Sequence, residues 1–195
     1  MLFDSAYEDY IVVKNISFVI SSEERSIITS RLNENNIGIE FIETRGIENS
    51  IFDAFSIYIN AHLTELIISG LLAPAAYDAI KKAIYFIVKG MGRFAFRRKK
   101  EEPEVCIKFK NEKAEIIAPI PEYLNDIQFA SYMDMLSNSI KELGQSQIYN
   151  MKDFDYYIIE FDNVKNKIVI KTITEYGMER ARRQRETANA EGLKD

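Results

Sequence analysis

The stretch from Asn49 to Lys100 constrains the fold most, because it combines the longest apolar run with an internal proline and an abrupt basic exit. Ile51, Phe55, Ile59, Leu63, Leu66 and Ile67 fall on one face at helical spacing. Ser50 followed by Asp53 is a helix-start signature, and Gly70 is a helix-stop signal. Pro74 fits the first turn of a following helix, where its missing N–H removes no hydrogen bond. Ala76, Tyr77, Ile80, Ile84, Ile87 and Val88 line that second helix, which Gly90 is expected to close. The pattern predicts a helical hairpin from Ser50 to Gly90, packed on a sheet. A membrane span needs about 20 consecutive apolar residues. Here Glu65, Asp78, Lys81 and Lys82 interrupt, each costing up to about 3 kcal/mol at mid-bilayer.

The flanking segments supply the sheet. Tyr10 to Ile20 reads as a strand, and Ser21 with Glu24 forms a capping box for a helix running to about Asn35. Ile37, Ile39 and Phe41 alternate as a second strand, expected parallel to the first through a right-handed crossover. Val105 to Lys110 and Ala114 to Ala118 read as one β-hairpin. Tyr156 to Phe161 and Lys167 to Ile173 read as another. Between them a helix is expected from Glu122 to Leu143, with Gly144 as its cap. The predicted architecture is α+β. A mixed sheet of about six strands packs against a helical hairpin and a further helix, followed by a polar C-terminal extension. Residues 1–173 form a single domain in this reading, and 174–195 a polar C-terminal tail rich in helix formers but without an apolar stripe.

Composition narrows the function classes. With 47% hydrophobic and 28% charged residues, the chain has the makeup of a globular protein. Its net charge of -5 argues against wholesale nucleic-acid binding. A single cysteine, Cys106, permits neither an intrachain disulfide nor a multi-cysteine zinc site, so a reducing, cytoplasmic setting is expected. The N-terminus has no basic start before an apolar core, so no secretory signal is read there. The 29 isoleucines against 10 leucines suggest an AT-rich bacterial or phage source.

No catalytic or cofactor motif stands out. His62 is the only histidine; with Glu65 it makes two ligands on one helix face where zinc wants about three. Neither a phosphate-binding glycine loop nor a nucleophile elbow occurs. Ile11 to Ile16 and Arg93 to Phe96 have the look of the two RNA-recognition-motif signatures, but two helices intervene where adjacent strands are required. No cofactor and no metal are expected, and an enzyme with an unrecognised site is the least favoured reading.

Two surface segments carry binding hypotheses. Met151 to Asp162 interleaves carboxylates with aromatics, and alternation puts Tyr157, Ile159 and Phe161 on one face and Tyr156, Ile158 and Glu160 on the other. Asp153, Asp155, Tyr156, Glu160 and Asp162 are the candidate protein-binding residues, because tyrosine brings contact area at low entropy cost. Arg93, Arg97, Arg98, Lys99 and Lys100, interleaved with Phe94 and Phe96, are the candidate anion-binding residues for phosphate, nucleic acid or a membrane surface. The leading expectation is a non-enzymatic, cytosolic interaction or regulatory protein: a small acidic partner, inhibitor or adaptor. A peripheral membrane or anionic-ligand binder using 92–100 is the alternative.

Overall fold

The computed structural model describes residues 7–16, 19–43, 55–98, 105–110, 114–121, 124–145, 155–162 and 167–191. The strands are β1 (Asp9–Lys14), β2 (Ile37–Ile42), β3 (Ser56–Ile59), β4 (Cys106–Lys110), β5 (Ala114–Pro119), β6 (Asp155–Asp162) and β7 (Lys167–Thr172). The helices are α1 (Ser22–Asn33), α2 (Ala61–Ser69), α3 (Pro74–Arg98), α4 (Asp126–Gln145) and α5 (Ile173–Glu191). All seven strands lie in one sheet, in the order β2-β1-β3-β4-β5-β6-β7. Pairing alternates between parallel and antiparallel, so the α+β class holds, with one strand more than expected.

The extra strand corrects the reading of the apolar stretch. Ser56–Ile59 is not helix but a strand between β1 and β4, antiparallel to the first and parallel to the second. Ile57 and Ile59 face the core, while Ser56 and Tyr58 face the other way. This period of 2 coexists in the sequence with the 3.6-residue pattern, and two-sided pairing decides between them. The helix that follows begins later, at Ala61, capped by Asn60, whose side-chain oxygen accepts from the Leu63 N–H at 3.2 Å. The Asn60 amide also donates to the Glu8 carbonyl at 2.7 Å, tying the start of β1 to the start of α2. Ser50 and Asp53 lie outside the described residues.

Gly90 does not close the second helix, which continues to Arg98. A Cβ at Gly90 would lie 3.0 Å from the Val19 carbonyl oxygen, so glycine there serves close packing rather than termination. Gly70 does end α2, in the left-handed conformation at φ 73°. The capping box at Ser21 and Glu24 is formed as expected. The first strand ends at Lys14, because Asn15 turns the chain at φ 59°; Ile16 and Ile20 are buried beyond it. The fourth helix starts at Asp126, with Asn125 and Gln128 bonding each other's backbone N–H groups reciprocally. Both hairpins, β4–β5 and β6–β7, form where expected.

Helices α1 to α4 share one core with one face of the sheet, including Ile11, Ile57, Phe109, Ile116 and Ile159 from the strands. Tyr132 is fully buried there and donates its O–H to the Pro119 carbonyl at 3.1 Å. Tyr77 donates to the Met133 carbonyl at 2.6 Å, and burial pushes its phenol up to about 12. Lys81, between Asp78 and Asp134 at 3.1 Å each, clips α3 to α4 from outside.

The opposite face of the sheet carries a second, smaller apolar cluster of Cys106, Ile117, Ile158 and Tyr176. Its fourth member belongs to α5. The described part of the polar tail is therefore a helix that docks through the Tyr176 ring, where no apolar stripe was read.

Candidate functional site

The second face of the sheet is read off the register. Val12, Tyr58, Lys108, Ile117, Ile158 and Lys171 stand opposite one another across six strands. Lys108 is buried to 4% exposure; its ammonium lies 5.1 Å from the centre of the Tyr58 ring and 3.6 Å from the Glu115 carboxylate. A lysine with this little water needs such partners, since an uncompensated buried charge is costly. Glu115 in turn stands opposite Tyr156.

The β6–β7 end of this face is where α5 docks. Tyr176, 9% exposed, packs with Cys106, Ile117 and Ile158, which are otherwise on the outer side of the sheet. Beside that ring lies a four-residue charge network. Lys171 donates to Glu160 at 2.6 Å and to Glu179 at 2.5 Å. Arg183 donates to Glu160 at 3.0 Å and to Glu179 at 3.4 Å. Two of these groups come from the hairpin and two from α5, so the network crosses the contact. Burial works against the charge of Lys171, but the two carboxylates outweigh it and raise its pKa. The Lys171 hydrogen bond holds the Glu179 carboxyl below its ordinary value. At the start of α5, Glu175 accepts from the backbone and side chain of Thr172, which lowers its pKa and caps the helix.

The candidate protein-binding residues fall on this face with different fates. Tyr156 is 41% exposed, beside the α5 contact. Ile158, expected on an open surface, is fully covered, because Tyr176 lies on it. Glu160 is engaged with Lys171 and Arg183. Asp162 is half-buried, opposite Lys167. Asp155 begins β6, with its side chain outside the described residues, as is the whole of Asp153.

Of the candidate anion-binding residues, only Arg93 has a described side chain. Arg93 donates to Glu24 at 2.6 Å, a contact that lowers the Glu24 pKa and joins α3 to the N-terminal turn of α1. Arg97 and Arg98 end α3, with side chains outside the described residues, and Lys99 and Lys100 lie outside them altogether.

His62 sits in the first turn of α2 with its Nδ1 2.8 Å from Asp9, and Glu8 3.7 Å from its Nε2. Asp9 raises its pKa, chiefly through this hydrogen bond. Among the described residues no group of three His, Cys, Asp or Glu side chains is placed to hold a metal ion. Nor is any described helix long and apolar enough to cross a membrane. A small gap lined by Ile59, Tyr77, Phe109, Met133 and Ser137 has room of about 10 Å³, on the scale of one water.

Comparison with protein-family models, with curated proteins and with solved structures finds no match for this chain. The site must therefore be read from its own chemistry. What sequence reasoning missed is Tyr176. A lone aromatic among charged residues leaves no periodic signal, yet its spacing of seven from Arg183 puts both on one helix face.

Proposed function

We propose that this protein is a non-enzymatic, cytoplasmic interaction module that binds a partner protein through the β6–β7 end of its second sheet face. The observation that carries this reading is the occupied state of that face. Its aromatic, apolar and acidic groups already hold a helix, through one ring on Ile158 and one arginine on Glu160. A face able to hold one largely polar helix through a ring and ion pairs has the chemistry to hold another. The exposed Tyr156 at its margin supplies the kind of group that interfaces favour. The cytoplasmic setting rests on the single cysteine and the absence of any possible intrachain disulfide.

Affinity capture from the native host tests the reading. Capture with the wild-type chain is compared with capture by Tyr156→Ala and Asp162→Lys, which alter the margin of the face and leave the core untouched. At least one captured protein is expected to be lost from both variants. Retention of every captured protein by both would remove the face from the argument.

A further inference from the structure

Helix α5 is attached differently from the other four. Helix α4 buries Phe129, Tyr132, Met133, Leu136, Ile140 and Leu143, whereas Tyr176 is the one buried side chain described in α5. Ile173 and Met178, its other large apolar groups, are exposed. Its other described cross-contacts with the hairpin are ion pairs, and the one made by Arg183, 58% exposed, is open to screening by salt. Gly177 follows the anchoring tyrosine in the second turn of α5, and a Cβ there would meet nothing within 4 Å. Its glycine therefore weakens the helix without a packing return.

The receptor side is built to survive the loss of α5. Glu160 and Lys171 are both on the hairpin and 2.6 Å apart. When Glu179 and Arg183 leave, neither partly buried charge is stranded, and that stranding is what makes most buried networks costly to open. The apolar floor of Cys106, Ile117 and Ile158 would then be uncovered beside the exposed Tyr156.

We infer that α5 is a displaceable occupant of a helix-binding patch on the second sheet face, and that the partner's element is a helix of the same chemistry. That helix presents an aromatic residue, a carboxylate three positions on and an arginine seven positions on, matching Tyr176, Glu179 and Arg183. Binding of that helix requires α5 to lift, so the chain inhibits its own site until a competitor arrives. The partner half of this inference rests on the interaction reading above; the displacement half does not.

Cys106 is a built-in reporter, being the only thiol, 1% exposed and in the cluster that Tyr176 completes. Its rate of reaction with a soluble disulfide reagent is measured on the full chain. Wild type is expected to react through local opening, with a shallower urea dependence than global unfolding. Tyr176→Ala is expected to speed the reaction at least about tenfold, and Tyr176→Phe to leave it near wild type. Gly177→Ala is expected to slow it about fivefold by strengthening the helix, an effect that misfolding does not produce. A wild-type urea dependence equal to that of global unfolding, with Tyr176→Ala no faster than its loss of global stability allows, would show α5 to be integral and overturn the proposal.

A fluorescent synthetic peptide of residues 173–191 then serves as the competing helix. It is expected to bind full-length Tyr176→Ala and to bind wild type far more weakly. Its Tyr176→Ala, Arg183→Glu form is expected to bind neither protein. If thiol reactivity responds as described but the peptide binds neither protein, the helix-binding reading falls while the mobility of α5 stands.

Discussion

His62 shows how one side chain can tie two elements through a titratable contact. Its Nδ1 lies 2.8 Å from Asp9 at the start of β1, while its own backbone is in the first turn of α2. The contact raises the pKa of the imidazole above the unfolded value of about 6.5. Because the folded pKa is the higher one, the stabilisation is complete below about pH 6.5 and is lost as pH rises through the folded value. Proton resonances of this single histidine, followed across pH, are expected to titrate at a lower pH in Asp9→Asn than in the native chain. The melting-temperature advantage of wild type over His62→Gln is expected to shrink between pH 6 and pH 9. An advantage that grows with pH would contradict the assigned contact. None of this pairing was legible in the sequence, because His62 and Asp9 are brought together only by the β1–β3 register and by Asn60.

Among the elements, α3 shows why some boundaries were legible and others were not. Its start was, since Pro74 has a purely local meaning. Its end was not, because Gly90 reads as a stop signal and the reason for it lies in Val19, on the segment between β1 and α1. The same distinction separates Gly70, whose φ of 73° is a local requirement, from Gly90. It also explains β3, where Ile59 fits both the helical face shared with Phe55 and Leu63 and the two-residue alternation with Ile57, until β1 and β4 flank the segment. Because the Val19 carbonyl leaves no room, Gly90→Leu is expected to destabilise the fold by about 1–3 kcal/mol despite better helix propensity. Chemical denaturation followed by circular dichroism measures this. A variant as stable as wild type would mean that α3 can shift away from Val19 at no cost, and that Gly90 has no packing role.

At the scale of the whole molecule, the described residues form an open seven-stranded sheet with two edges, β2 and β7, and both must be managed. The topology itself lies beyond local sequence signals. β1 and β5 run in the same direction, but the chain steps from β1 to β2 one way across the sheet and from β5 to β6 the other. With α1 and α4 on the same face, the two crossovers have opposite hands, although about 98% of such units are right-handed. The edges are more easily read. Strand β7 carries Lys167 and Lys171, and β2, IGIEFI, carries a single charge, the exposed Glu40. Without Glu40 the β2 edge would be six uncharged residues, five of them isoleucine, valine or phenylalanine in the Glu40→Val variant, with no proline to interrupt pairing. That is the composition of an aggregation-prone edge. The side chain at position 40 points away from the main core, so its replacement is expected to change the unfolding free energy by no more than about 0.5 kcal/mol. Glu40→Val is therefore expected to melt like wild type yet self-associate at concentrations where wild type scatters no light. Glu40→Lys, which keeps a charge at the edge, is expected to remain dispersed. If both variants associate equally, the loss of a specific carboxylate contact is responsible; if neither does, another part of the chain protects β2.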